Sequence, residues 1–283
     1  HRLDLLHSVD FIPPHRGARR HVITVHDLTF LHYPQHKDRA ARRYYNDQIA
    51  WAVRRADHIL AVSEATRQDL ITMLSVPADR ITVQPHGVDP RYQPQSVEAV
   101  RLLGLPNTYL LHVGTLEPRK NIPALLDAYT RLDDPPPLVL AGQVGWLFDE
   151  TLARIKQMQA DHVPVILRDD IADAALPALY SGALALVIPS FYEGFGLPAL
   201  EAMACGTPVI ASNTSSLPEV VGDAGRLIDP QDVEALAGAL RVATTDAGWR
   251  GEASTRGLAR AAAFTWARSA RIALDVYHRV LES

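Results

Sequence analysis

The sequence has few of the features that mark secreted, membrane-spanning or nucleic-acid-binding proteins. Cys205 is the only cysteine among 283 residues, which excludes an intrachain disulfide and a cysteine cluster for zinc and fits a small, buried side chain. No apolar run approaches the roughly 20 residues that span a bilayer, and no charged-then-apolar leader opens the chain. The formal net charge of -4 is not the basic excess typical of nucleic-acid binding. We therefore expect a cytoplasmic protein without a nucleic-acid partner.

Short apolar runs rich in branched residues alternate with amphipathic stretches along the whole chain, and 47% of the residues are hydrophobic. This alternation is typical of βαβ units around parallel sheets, so we predict an α/β fold. Buried strands are predicted at residues 21–25, 58–62, 80–83, 109–113, 138–141, 163–167, 184–188, 208–211 and 226–228. Helices are predicted at residues 40–55, 122–132, 151–159 and 265–281, and after the N-cap Ser63.

A proline-containing stretch with little strand signal, residues 90–106, divides the pattern into two α/β series. We predict a first domain over residues 1–90, a second over residues 91–264 and a final amphipathic helix over residues 265–283. Strand-like residues follow within two positions of His1, so we expect the first domain to be incomplete. The expected buried residues of the final helix are Trp266, Ile272, Leu274, Val276 and Tyr277.

Two motifs follow predicted strands, where ligands bind in open parallel sheets. After residues 109–113 comes Gly114, and then the adjacent cations Arg119 and Lys120 near a helix start. Glycine lets the backbone approach a ligand, and the two cations can hold a diphosphate. A solvated pair of loop charges is the alternative interpretation.

The second motif is Glu193-Gly-Phe-Gly-Leu-Pro-Ala-Leu-Glu201, which follows residues 184–188. Pro198 favours a helix start, so the amides of Gly194, Phe195, Gly196 and Leu197 can meet sugar or phosphate oxygens. Each carboxylate can accept two hydrogen bonds from a vicinal diol. Surface acids and a glycosidase acid–nucleophile pair are the alternatives, although a glycosidase does not need the Arg119–Lys120 loop.

His26 and Asp27 follow a third strand, and the imidazole can contact a sugar or polarise an acceptor. The alternative is a hydrogen-bonded core histidine with Asp27 as a cap. His32 and His36 lie four residues apart, but Pro34 between them disfavours a shared helix face, so we predict no metal site. An arginine-rich stretch over residues 39–55 is interpreted as a solvated helix face, with contact to anionic lipid headgroups as the alternative.

Taken together, these motifs resemble the retaining glycosyltransferases of family 4, which have the GT-B fold of two Rossmann-like domains facing across a cleft. The matching segments, in family order along nearly the whole chain, are His26-Asp-Leu, Val62-Ser-Glu, Gly87-Val-Asp89, Gly114 with Glu117-Pro-Arg-Lys-Asn121, Glu193 to Glu201, and Gly206-Thr-Pro-Val. The double-glutamate segment and the Glu-Pro-Arg-Lys-Asn loop are specific as a pair. The resemblance implies an acceptor side in the first domain, a donor side in the second, and a final helix that crosses back to the first.

The resemblance also implies a role for each site residue. Arg119 and Lys120 bind the donor diphosphate and neutralise the leaving nucleotide. Glu201 holds the ribose hydroxyls, Glu193 holds the donor sugar with help from amides around Phe195 and Gly196, and His26 lies beside that sugar. The family transfers a hexosyl group with retention and without a bound metal or other cofactor, so the expected partners are a nucleotide-sugar donor and a glycan or lipid-linked acceptor.

Two departures from the family pattern keep other functions open. The family's first strand and its glycine-rich loop have no counterpart in this sequence, and His86 stands where asparagine is frequent. The alternatives are therefore a nucleotide-sugar-binding protein with impaired catalysis and a nucleotide-sugar epimerase. The sequence does not identify the sugar, the base, the acceptor, the linkage or the oligomeric state, and peripheral contact with the inner membrane face also stays open.

Overall fold

The computed structural model describes residues 3–12, 17–36 and 39–282, except the side chain of His36. Within these ranges the chain forms two parallel sheets with helices, so the α/β prediction is confirmed. The strands are β1 (Leu3–Ser8), β2 (Ala18–Val25), β3 (His58–Ala61), β4 (Ile81–Val83), β5 (Leu110–Val113), β6 (Leu138–Ala141), β7 (Val165–Arg168), β8 (Ala185–Ile188), β9 (Val209–Ser212) and β10 (Arg226–Ile228).

The helices fall between and after these strands. They are α1 (Thr29–His32), α2 (Arg39–Arg55), α3 (Glu64–Leu74), α4 (Val97–Arg101), α5 (Ile122–Tyr129), α6 (Asp149–Ala160), α7 (Leu176–Ser181), α8 (Leu197–Ala204), α9 (Leu217–Val221), α10 (Val233–Thr245), α11 (Ala247–Ala261) and α12 (Trp266–Glu282). None of the helices in the described ranges is both long enough and apolar enough to cross a bilayer.

The first sheet has the order β1-β2-β3-β4 among the described residues, with every neighbouring pair parallel. Its strands β2 and β3 are almost entirely buried because helices cover them. Ser63 begins α3 as predicted, since its hydroxyl accepts a hydrogen bond from the Thr66 amide. His26 follows β2 directly.

The second sheet has the order β10-β9-β8-β5-β6-β7 in the described part of the chain, again with parallel neighbours. Leu110 of β5 pairs with Leu138 of β6 on one side and Ala185 of β8 on the other. The strand order therefore reverses between β5 and β8. In open α/β sheets, the loops after two such strands diverge and leave a crevice for ligands.

Contacts divide the chain into two units. The first unit comprises residues 1–87, 193–195 and 264–283, and the second comprises residues 88–192 and 196–263. The second sheet is buried by a continuous core that includes Leu110, Tyr129 and Ile155. In the first unit, Ile23, Ile49 and Ile59 belong to one core cluster, while the other face of the sheet is covered by α12.

Some sequence-based expectations about these elements were wrong. Trp266 and Leu274 of α12 are 48% and 52% exposed, whereas Val276 is buried as predicted, together with Ala273 and Val280. Small residues form the buried stripe because α12 lies against the sheet face that carries Val22 and Leu60. The stretch 90–106, which has little strand signal, contains the short helix α4, which begins after the N-cap Ser96.

Candidate functional site

A cavity of about 320 Å³ lies at the carboxyl ends of β5, β6 and β7 in the second unit. Its lining includes the backbone after each strand and several polar side chains, namely Val113, Gly114, Gly142, Gln143, Arg168 and Asp169. Gly142 has a φ of +150° and follows β6, where a Cβ would overlap the carbonyl oxygen of Gly114. Only glycine allows the two loops to approach this closely.

Lys120 packs against the loop that forms one wall of this cavity. A Cβ at Gly114 would lie 3.3 Å from the Nζ atom of Lys120, and the lysine is only 6% exposed. A short 3-10 helix over Pro118–Lys120 places the ammonium here by turning the chain back after β5. Phosphate oxygens are acceptors for a lysine ammonium, so a cation at this strand end is suited to an anionic ligand.

Arg119 is bound by protein groups, so it is not the solvated loop charge considered from the sequence. Its guanidinium contacts the carboxylate of Glu117 at 2.6 Å and donates from Nη1 to the carbonyl oxygen of Tyr192 at 2.7 Å. Both side chains of the ion pair are mostly buried. Glu117 therefore fixes the guanidinium and offsets its charge. The charges of Glu117, Arg119 and Lys120 sum to one positive charge.

A direct backbone hydrogen bond joins the loop after β5 to the loop after β8. The amide of Phe191 donates to the carbonyl oxygen of Arg119 at 2.9 Å. Asn121 donates from its side chain to the carbonyl oxygens of Pro189 and Pro230. The glycine–cation loop is thus held by hydrogen bonds at the crevice of the second sheet.

Gly196, Leu197 and Glu201 belong to α8, which begins directly after the loop that follows β8. Gly196 is the N-cap residue with no side chain to satisfy the first amides of the helix. Glu201 lies in the second turn and is partly buried. Its Oε2 accepts a hydrogen bond of 2.8 Å from the hydroxyl of Tyr180. The carboxylate therefore has a fixed partner within the second unit.

The contacts of residues 193–195 assign this segment to the first unit. The carbonyl oxygen of Gly194 accepts a 2.6 Å hydrogen bond from the hydroxyl of Ser63. A Cβ at Gly194 would overlap the carbonyl oxygen of His26, so only glycine fits. Glu193, considered from the sequence as a turn acid, is only 7% exposed, so it is not a solvated side chain.

His26 is exposed, which excludes the core histidine considered from the sequence. Its Nε2 lies 2.8 Å from the carbonyl oxygen of Val9. Because a carbonyl only accepts, Nε2 carries a proton in this contact, and Nδ1 is the ring nitrogen left for a ligand. The Oδ1 of Asp27 accepts from the amide of Thr29 at 2.9 Å, but the N-cap position of α1 is Leu28, so Asp27 is not the cap residue considered from the sequence.

His86 stacks on His26, with ring centroids 5.4 Å apart and an angle of 24° between the rings. It also contacts the rings of Phe195 and Trp266 edge-on or at a tilt. Burial, with a smaller contribution from the nearby His26, lowers the pKa of His86 to about 4. His86 is therefore a neutral stacking partner at neutral pH. Sequence reasoning noted it only as a departure from the family pattern.

Other residues considered from the sequence lie outside these groups. Cys205 is buried, as predicted, and burial raises the pKa of its thiol to about 12. His32 pairs with Asp69 at 2.9 Å. In the described part of the chain, no group of three or more potential ligand side chains could hold a metal ion. The arginines of α2 are exposed.

Sequence reasoning missed the side chains that hold the predicted ones in place. Glu117 was noted only as part of a motif, and neither Tyr180 nor Tyr92 was noted. Both tyrosines are buried, and Tyr180 lies 21 residues before its partner Glu201. No local spacing signals such a contact, because it depends on how α7 packs beside α8.

Two family models match the chain. The model described as Glycosyl transferases group 1 matches residues 99–257, and the model described as Glycosyltransferase Family 4 matches residues 1–92. Among curated proteins, the chain is similar to the O-antigen chain mannosyltransferase B of Escherichia coli. The two are 38% identical over 282 residues, which cover 96% of this chain and 74% of that protein.

Solved glycosyltransferase structures are similar over most of the chain. The sucrose-phosphate synthase of Thermosynechococcus elongatus has a TM-score of 0.84 and 26% identity, covering 99% of this chain and 74% of that one. HepE of Anabaena, solved with UDP-glucose, has a TM-score of 0.78 and 22% identity, covering 92% of this chain and 72% of that one. The latter likeness concerns the fold alone.

Proposed function

The chain belongs to the glycosyl transferases group 1 family, and from that premise we propose that it transfers a hexosyl group from a nucleotide-diphosphate sugar to an acceptor hydroxyl. The chain is a glycosyltransferase with the GT-B fold class expected from its motifs. The name of the Escherichia coli relative favours mannose as the sugar and a polysaccharide as the product.

The observation that carries this proposal is the buried Lys120 beside Gly114, at the wall of the strand-end cavity. A nucleoside lodged in the cavity would extend its diphosphate past Gly114 towards the ammonium. The charge on the leaving nucleotide grows as the glycosidic bond breaks, so a fixed cation stabilises the transition state more than the ground state. Arg119, held by Glu117, adds a second donor to the same loop.

The remaining site residues are assigned roles that fit their chemistry. Glu201 accepts hydrogen bonds from the ribose hydroxyls, and Glu193 accepts them from the donor sugar together with the amides of residues 194–197. His26 offers Nδ1 as an acceptor to a hydroxyl of that sugar. In this proposal the acceptor attacks the face from which the nucleotide departs, its proton passes to the leaving phosphate, and the anomeric configuration is retained.

Lys120 provides the first test of the donor site. We expect Lys120→Gln to weaken GDP or UDP binding by about tenfold or more, because a charged hydrogen bond to phosphate is worth roughly 1.5–3 kcal/mol. Isothermal titration calorimetry measures the affinity, and thermal melting confirms that the variant is folded. The matched control is Lys156→Gln, since Lys156 is exposed on α6 of the same unit. Equal affinities in wild type and Lys120→Gln would refute the assignment.

A further inference from the structure

Two tyrosines from different parts of the second unit lie at Glu201. Tyr180, at the end of α7 and fully buried, donates to Oε2 of Glu201 at 2.8 Å. Tyr92, from the segment before α4 and 6% exposed, packs against Tyr180 and lies near enough to Glu201 for its hydroxyl to lower the pKa of the carboxyl. The two rings pack edge-on with centroids 6.0 Å apart. Both partners are therefore immobilised by packing.

Arg91 orients the proton of the second hydroxyl. Its Nη2 donates to the Tyr92 oxygen at 3.2 Å, and its guanidinium lies 5.0 Å from the centre of the Tyr92 ring. Because the oxygen of Tyr92 accepts from Arg91, its own proton is available to Glu201. The chain of donors runs from Arg91 through Tyr92 to the carboxylate. Such chains polarise each bond in the same direction.

The groups around Glu201 shift its pKa in opposite directions. Burial raises the pKa of Glu201 above its ordinary value, and the negative charge of Asp173 acts in the same direction. The hydroxyls of Tyr180 and Tyr92 and the positive charge of Arg91 lower it. The tyrosines therefore offset part of the burial cost of the carboxylate.

Cys205, one helical turn after Glu201, is also titratable. Burial raises the pKa of the thiol to about 12, so Cys205 stays neutral at the pH values at which nucleotide binding is measured. The described groups that shift the pKa of Glu201 are therefore the two tyrosines, Arg91 and Asp173. Of these groups, Tyr180 donates to the carboxylate at 2.8 Å.

We propose that Tyr92 and Tyr180 are positioning residues for nucleotide recognition, which hold the Glu201 carboxylate in one orientation so that its remaining lone pairs accept the two ribose hydroxyls. A carboxylate has about four acceptor sites, so two tyrosine donors leave two for the diol. The inference rests on the proposed function, because it takes Glu201 as the ribose contact. It adds the residues that fix the orientation of the Glu201 carboxylate and favour its ionised form.

Tyrosine-to-phenylalanine variants test the proposal, because they remove the hydroxyl and keep the ring. We expect Tyr92→Phe to weaken binding of GDP or UDP, whichever wild type binds more tightly, by about three- to tenfold at pH 7. We also expect the acidic limb of the affinity–pH profile to move up by about one pH unit, since loss of a donor favours the protonated carboxyl. Calorimetry between pH 5 and 8 measures both effects.

Tyr129→Phe is the matched control for a buried hydroxyl. Tyr129 is fully buried in the same unit, and its hydroxyl donates to carbonyl oxygens of residues 136 and 164 rather than to a site residue. We expect Tyr129→Phe to lower the stability of the protein without moving the affinity–pH profile. A Tyr92→Phe profile that coincides with that of Tyr129→Phe overturns the proposal. Tyr180→Phe is tested in the same way if thermal melting shows that it folds. If it does not fold, the comparison of Tyr92→Phe with Tyr129→Phe decides the question.

Glu201→Gln separates this inference from the proposed function. In that background the part of the acidic limb that Glu201 causes disappears, and the part that comes from the nucleotide phosphate remains. Tyr92→Phe then causes no further shift of the profile, because the two residues act through one group. If Glu201→Gln binds nucleotide as wild type does, the ribose assignment itself fails and this inference fails with it. If Glu201→Gln weakens binding but Tyr92→Phe leaves the profile unmoved, only the positioning role is refuted.

Discussion

At the scale of single residues, the site depends on charges that the protein itself holds in place. Arg119 and Lys120 are adjacent in sequence, yet Arg119 is paired with Glu117 while Lys120 is packed against Gly114. The sequence predicted that the two cations clamp a diphosphate together, Arg119 with a fork of donors and Lys120 with a point charge. The ion pair with Glu117 orients the guanidinium of Arg119. Lys120 is the residue for the first binding test because it lies beside Gly114, which lines the cavity.

Gly142 is the residue whose backbone most directly shapes the cavity. We expect Gly142→Ala to lower the free energy of unfolding by about 1–3 kcal/mol, because a Cβ would collide with the carbonyl of Gly114 and the backbone angle is strained for alanine. Urea denaturation measures the change. Gly251→Ala is the control, since it lies in α11 with open space around it and should gain about 0.5–1 kcal/mol. Equal stability of Gly142→Ala and wild type would contradict this view of the loop.

The residues that sequence reasoning could identify are those with a local signature. Gly114, Lys120 and Glu201 lie in the loop or helix that follows a predicted strand, and such segments can be recognised from the strand pattern. Tyr92 and Tyr180 have no such signature because their hydroxyls meet Glu201 only after α7 and α8 have packed. The tautomer of His26 likewise depends on the carbonyl of Val9, which reaches it from another strand end.

At the scale of elements, strands were predicted better than helix faces. The predicted ranges 138–141 and 226–228 coincide with β6 and β10, because buried parallel strands are continuous apolar runs with clear ends. The face of α12 was predicted from residue size, and Trp266 and Leu274 were wrongly placed inside. An amphipathic helix can present small residues to a flat sheet, and size alone does not show which stripe is covered.

The buried stripe of α12 gives a prediction for the element as a whole. Val276 is fully buried against Val22 and Leu60, so Val276→Ala should lower the free energy of unfolding of its unit by about 1–3 kcal/mol. Leu274→Ala on the exposed side should change it by less than about 0.5 kcal/mol. Chemical denaturation of both variants measures the difference. A larger loss for Leu274→Ala than for Val276→Ala would show that the opposite face of α12 is docked.

At the scale of the whole molecule, the chain is built from two units, each with its own parallel sheet and core. The second unit carries the strand-end cavity, Lys120 and Glu201, whereas His26 and residues 193–195 group with the first. The α/β class could be predicted from the alternation of apolar runs. The assignment of residues 193–195 could not, because it rests on contacts such as the hydrogen bond from Ser63 to Gly194, which join positions 131 residues apart.

The most direct test of the proposed function is analysis of the products of one reaction. The protein is incubated with GDP-mannose or UDP-glucose and a mannoside acceptor, with and without a chelator, and the products are analysed by nuclear magnetic resonance. We predict equal amounts of free nucleoside diphosphate and a new glycoside with the anomeric configuration of the donor, both unaffected by the chelator. An isomerised donor with the nucleotide still attached, or a glycoside of inverted configuration, would contradict a retaining transferase.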